Sequence, residues 1–358
     1  MPLLFEACTL GKLTLQNRCV MAPLTRCRAI GNTPNELMAR YYAQRAGAGL
    51  IISEGTSPSP NGIGYARIPG IYSPAQTAGW KTVTDAVHAQ GAKMFLQMMH
   101  CGRVAHPLNL PAGARIVAPS AVAAAGDMWT DAEGMKPNAT PAAMSESDIA
   151  TTIGEFAQGA TNAVAAGFDG VELHAANGYL LEQFIRPTSN RRTDRYGGAI
   201  ENRARFVLEV ADAAIRAIGR ERVGIRLSPF GVFNDMPVYP EMAADYGWLA
   251  QQLDARGLVY AHLVDHSPMG APAVPDAIKA AIRAAFKGTL ILSGGYDAAR
   301  AEGDLAAGRC DLVAFGRPFL ANPDLVARLK AGAALNAPDA NTFYTADARG
   351  YTDYPALA

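Results

Sequence analysis

Three residues in the stretch VELHAANGYLLEQF combine side-chain types that could act together: His174, Asn177 and Tyr179. A neutral imidazole and a carboxamide can both donate hydrogen bonds, so the pair can hold one carbonyl oxygen while a nearby phenol delivers a proton. On a continuing strand His174 and Asn177 would face opposite sides. They converge only if the strand ends at His174 and the chain turns, which Gly178 permits. Each also has a plainer use: a hydrogen-bonded core histidine, a turn-forming asparagine, a packing aromatic.

A second group lies where apolar runs stop. Pro23, Leu24 and Thr25 follow CVMAPL, Glu54 and Gly55 end LIISEG, and Gln97 and Arg226 lie within KMFLQMM and VGIRLS. A buried arginine needs an anionic or strongly accepting partner. For Arg226 that partner is either Glu54 or Glu172, or else the electron-rich edge of a bound ring system. Ser293, Gly294, Gly295, Gly316 and Arg317 close the last two apolar runs. Small residues there let backbone N–H groups approach a phosphate; otherwise they are turn glycines beside a surface arginine.

The elements that must position these groups alternate along the chain. Eight apolar runs read as strands: 19–24, 50–55, 93–99, 170–174, 223–228, 260–264, 290–294 and 312–316. Most are continuous, as strands buried on both faces must be. Eight amphipathic stretches separate them, many ending at a glycine (Gly91, Gly167, Gly219, Gly257, Gly288). Eight β–α units in succession predict an α/β fold, the TIM (β/α)8 barrel, as one domain over 1–358. Such barrels carry their chemistry at the C-terminal ends of the strands, where all the groups above fall. Segment LFEACTLGKLTLQNR reads as a hairpin turning at Gly11 that plugs the barrel bottom. Residues 100–144 and 175–200 are long βα loops expected to cap the site.

Composition excludes other classes. Lys and Arg number 32 and Asp and Glu 32, so no basic field exists to gather nucleic acid or an anionic membrane. Five cysteines (Cys8, Cys19, Cys27, Cys101, Cys310) include no CxxC pair for a metal, and they suit a reducing, cytoplasmic setting. No apolar run reaches the roughly 18 residues of a membrane span, and Glu6 interrupts any signal-peptide core.

The ordered set MAPLTR, YYAQRAGAGLIISEGT, GYARIPGIY, LQMMHCGR, VELHAANGYLLEQF, SNRRTDRYGG with ENRARF, VGIRLSP, AFGRPFLANPDLVARL and GYTDYP resembles the old yellow enzyme family from about Leu4 to Tyr354. It is most similar to the branch that includes N-ethylmaleimide reductase and pentaerythritol tetranitrate reductase. The resemblance implies an ene-reductase with non-covalent FMN, driven by NADPH or NADH, acting on enones, maleimides and nitro compounds in two half-reactions at one site. It assigns Pro23, Leu24, Thr25, Gly55, Gln97, Arg226, Ser293, Gly294, Gly295, Gly316 and Arg317 to FMN, with Thr25 at the flavin O4. It assigns His174 and Asn177 to the substrate oxygen, Tyr179 to proton delivery, and Tyr65 and Tyr351 to aromatic walls beside substrate and flavin. No metal is implied, and the expected state is a monomer or homodimer.

Met99 stands where many relatives have tryptophan, which predicts a roomier site. The loop DHSPMGAP (265–272) also departs from the pattern. Two other readings stay open. One is a catalytically silent flavin-binding barrel. The other is a phosphate-binding aldolase or isomerase, for which Glu54 is the sole strand-end base. An iron–sulfur relative on the same barrel would need a clustered cysteine motif that this sequence lacks.

Overall fold

The structure is a computed structural model and describes residues 2–357. Strands β1 (Cys8–Leu10) and β2 (Leu13–Leu15) pair as an antiparallel hairpin. Barrel strands β3 (Cys19–Met21), β4 (Leu50–Ile52) and β5 (Lys93–Met98) come next. Four short strands of the first excursion follow: β6 (Val117–Ala118), β7 (Asp127–Thr130), β8 (Gly134–Pro137) and β9 (Ala142–Ala143). The barrel resumes with β10 (Gly170–Ala175), β11 (Val223–Leu227), β12 (Tyr260–Val264), β13 (Thr289–Ser293) and β14 (Leu312–Phe315). All eight barrel strands run parallel and close, β14 on β3 and β5 on β10.

The alternation of side chains explains the continuous apolar runs. Leu50, Ile52, Phe95, Tyr260 and Ile291 meet inside the barrel, while Ile51, Leu96, Leu173, Ile225 and Leu263 turn outward under the helices. Both faces are buried, so both parities must be apolar. The hairpin does plug the bottom, with Leu10 and Leu15 joining the interior cluster. Gly11 has φ +57, and a Cβ there would lie 2.9 Å from Val259 Cγ2.

Among the described residues the eight expected helices are present, with three short additions: Leu180–Ile185, Ile200–Arg203 and Arg317–Ala321. Ser73 with Gln76, and Ser145 with Asp148, form reciprocal caps at two helix starts. The glycine stops hold except at Gly288. Helix Asp276–Ala285 instead ends on an extended Phe286, and Gly288 is small because a Cβ would lie 2.8 Å from the Phe286 ring.

Candidate active site

A cavity of about 1420 Å³ opens over the C-terminal strand ends. Strand register places Gln97 opposite Glu172, and Arg226 between His174 and His262. Gln97 Nε2 donates to Glu172 Oε1 at 2.8 Å, and His262 Nδ1 lies 2.9 Å from Glu172 Oε2. Glu172 is thus occupied. Glu54 is occupied as well: it accepts from the Arg26 amide and the Tyr42 hydroxyl, and burial raises its pKa to about 7. Arg226 therefore pairs with neither carboxylate. It is 7% exposed, lines the cavity, and makes no side-chain hydrogen bond or ion pair to any described residue; its Nε has no partner. Burial pulls its pKa below the usual arginine range. A buried cation left in this state implies an acceptor supplied by a ligand.

The His174 strand runs one residue further than expected, to Ala175, and then turns sharply. Asn177 and Gly178 both lie in the left-handed region (φ +59 and +77). The turn is pinned at several points. The Asn177 amide donates to Ser228 Oγ at 2.8 Å, Asn234 Nδ2 donates to the Asn177 carbonyl at 2.7 Å, and the Gly178 amide donates to Glu182 Oε2 at 2.7 Å. Buried Glu182 also accepts from Ser228, Tyr246 and Arg186. This wiring brings His174, Asn177 and Tyr179 to the one cavity. The Tyr179 ring stands edge-on to His174 at 4.8 Å, and its hydroxyl lies 3.0 Å from that of Tyr65, which also lines the cavity. Burial drives the His174 pKa well below the usual range, with Arg226 adding to the effect, and raises that of Tyr179. Imidazole and phenol are both neutral. His174 makes no hydrogen bond within the described residues, and its Nδ1 has no partner.

Pro23, Leu24, Thr25, Gln97, Ser293, Gly294, Gly295, Gly316 and Arg317 all line the same cavity. Gly294 has φ +128, and a Cβ there would lie 2.1 Å from the Asp265 carbonyl oxygen. No larger residue fits that turn. At Gly316 the only atom near an added Cβ is Leu24 Cδ2, at 3.7 Å, so a side chain there would occupy open space at the cavity edge.

Two expectations fail. Tyr351 does not reach the cavity: it is fully buried, stacked on Tyr41 at 4.0 Å, with the Arg26 and Arg28 guanidiniums over its ring. Those arginines bind carbonyls of the C-terminal segment, and the aromatic wall comes instead from Phe343 and Tyr344. Gly55 lies off the cavity lining, because its place is against Met99, whose Sδ would sit 2.5 Å from an added Cβ. Met99 itself is 1% exposed in a cluster with Ile63, Ile68 and Val104 and lies off the cavity lining, where it takes up none of the cavity's space.

Several residues at the site carried no reading from sequence. The β7–β8 hairpin supplies Met128, Trp129 and Met135 to the mouth. Arg67 ties it down by pairing with Asp131 and donating to the Tyr344 carbonyl at 2.9 Å. From the second excursion only Asn177 and Tyr179 line the cavity. His266 does so from the unusual loop, with Nε2 2.7 Å from Asn177 Oδ1. A buried carboxylate in LLEQF could have been noticed as a device holding the turn. No lysine lines the cavity to form a Schiff base, and Glu54 lies off its lining, so the base named for the aldolase reading does not reach the site.

Barrel, partnerless cation and paired donors together describe a flavin oxidoreductase, and comparison with known proteins gives the family. The chain belongs to the NADH:flavin oxidoreductase / NADH oxidase family, matched over residues 3–336, the family of old yellow enzyme. It is 45% identical to a Leishmania infantum protein named "Probable flavin mononucleotide-dependent alkene reductase", over 97% of this chain and 95% of that one. It is 44% identical to 12-oxophytodienoate reductase 1 of Oryza sativa subsp. japonica, over 97% and 91%. Among solved structures, morphinone reductase superposes with a TM-score of 0.96 at 49% identity, covering 99% of this chain and 96% of that one.

Proposed function

We propose that this protein is an NAD(P)H-driven, FMN-dependent ene-reductase acting on α,β-unsaturated carbonyl compounds in the cytoplasm. The observation that carries the reading is the meeting, in one cavity, of an Arg226 with no protein acceptor and the His174, Asn177 and Tyr179 set. The residues fit FMN. Arg226 and Gln97 suit an electron-rich pyrimidine edge, and the glycine-lined ends of β13 and β14, with Ser293 and Arg317, suit a phosphate. Bound FMN supplies the hydride accepted by the alkene β-carbon.

The chain's own groups do the rest. Neutral His174 and the Asn177 carboxamide donate to the carbonyl oxygen and draw electron density from the double bond. Tyr179, kept protonated by burial, gives its proton to the α-carbon, and the Tyr65 hydroxyl 3.0 Å away provides a route for replacing it. Nicotinamide and alkene need the same space, so they use it in turn. A solved morphinone reductase complex with tetrahydroNAD supports a nicotinamide donor. Five free cysteines, four of them buried, agree with a reducing compartment.

The oxygen site is tested with p-chlorophenol, whose oxygen takes the place of the substrate oxygen. Replacing His174 by alanine is expected to weaken its binding to the FMN-loaded protein about 10- to 100-fold, read from the long-wavelength absorbance of the complex. Unaltered binding would remove His174 from the oxygen site.

A further inference from the structure

We propose that His266 is a positioning residue of this site: by donating to Asn177 Oδ1 it fixes the carboxamide with its NH2 end toward the substrate oxygen. The inference rests on the reading of Asn177 as an oxygen donor.

A carboxamide has two ends of nearly equal shape and opposite hydrogen-bonding sense. Rotated by half a turn, Asn177 would present Oδ1 to a carbonyl oxygen and repel it. The backbone cannot decide between the two, since Ser228 and Asn234 restrain the main chain and leave the side-chain torsion free. What remains is the contact at the far end of the amide, His266 Nε2 to Asn177 Oδ1 at 2.7 Å. A neutral imidazole donates there as the Nε2–H tautomer. Donation into Oδ1 also withdraws charge from the amide and makes its NH2 a stronger donor.

The histidine is itself held in place. Its carbonyl accepts from the Met269 amide at 2.8 Å in the turn Ser267–Met269, and its ring stands edge-on to Phe233 at 4.6 Å. Phe233 neighbours Asn234, which grips the Asn177 carbonyl. The charged groups facing the imidazole are Arg226, which disfavours its protonation, and Asp265, which favours it. Asp265 is already paired with Lys279 at 2.9 Å. Burial and Arg226 lower the His266 pKa to about 4, so near neutral pH it is the single-donor imidazole the contact requires. The loop DHSPMGAP thus extends the oxygen site by one residue.

The test titrates p-chlorophenol into FMN-loaded wild type, His266→Leu, His266→Gln, Asn177→Ala and the Asn177→Ala/His266→Leu double variant. FMN content and melting temperature serve as checks on folding. Asn177→Ala and His266→Leu are each expected to weaken binding about 10-fold. The double variant should be no weaker than Asn177→Ala alone, because His266 acts only through Asn177. A glutamine side chain would retain an N–H donor near the Nε2 position, so His266→Gln should bind within about threefold of wild type. In turnover of 2-cyclohexenone, KM should follow the same order. Three results would each overturn the inference while sparing the site: wild-type binding in His266→Leu beside a weakened Asn177→Ala, additive losses in the double variant, or a glutamine that fails to rescue. Wild-type binding in Asn177→Ala would instead overturn the parent reading of the oxygen site.

Discussion

Tyr179→Phe is expected to slow the alkene half-reaction by about 100- to 10,000-fold, the range that a positioned proton donor contributes. Reduction of FMN by NADPH should stay within about threefold of wild type, because that step takes no proton from the phenol. The substitution keeps the ring edge-on to His174 and removes only the hydroxyl that meets Tyr65, so packing loss cannot mimic the effect. Stopped-flow absorbance separates the two half-reactions, reduction as bleaching and reoxidation by 2-cyclohexenone as recovery. Unchanged reoxidation would strip Tyr179 of the donor role and pass it to Tyr65 or solvent.

The second large effect falls on Arg226. Truncating one partner of a buried, hydrogen-bonded charge pair costs about 2 to 5 kcal/mol, so Arg226→Met should weaken FMN binding by at least about 30-fold, and the protein should lose its colour on dilution. The FMN-free protein should respond in the opposite direction. Arg226 there is a buried guanidinium with no acceptor, and replacing an unpaired buried charge by an apolar side chain removes its desolvation cost. The flavin-free variant should therefore melt no lower than flavin-free wild type, while the wild-type advantage on adding FMN disappears. Quenching of flavin fluorescence reports the affinity and a thermal melt reports the rest. An unchanged FMN affinity would mean that the cation serves something else.

The barrel was legible because its strands are buried on both sides and cannot hide as alternating patterns. Their upper ends were less so. β3 stops at Met21 and β4 at Ile52, short of the apolar runs that continue past them, since Pro23 lacks the N–H a ladder needs and beyond Ile52 only single contacts remain, the Ser53 amide on the Phe95 carbonyl and a bridge from Thr56 to Met98. Helix Leu180–Ile185 escaped notice because all its residues are buried, Glu182 and Gln183 included, and so show no polar face. The turn that gathers His174, Asn177 and Tyr179 could be reasoned out from three residue types and one glycine. His266 could not, because it lies 89 residues from Asn177 and only the closed barrel makes them neighbours. Tyr351 shows the converse: an aromatic in a motif carries no sign of which cluster will claim it. Here Arg26 and Arg28 cover its ring, Arg45 donates to its carbonyl and Tyr41 stacks on it.

The most direct test of the account is an anaerobic absorbance spectrum of the purified protein, taken before and after NADPH and again after 2-cyclohexenone. The account predicts flavin bands that bleach with the nicotinamide and return with the enone, both half-reactions in one cuvette. A protein that stays colourless after FMN is added would contradict it, and so would one whose bleached flavin ignores the enone.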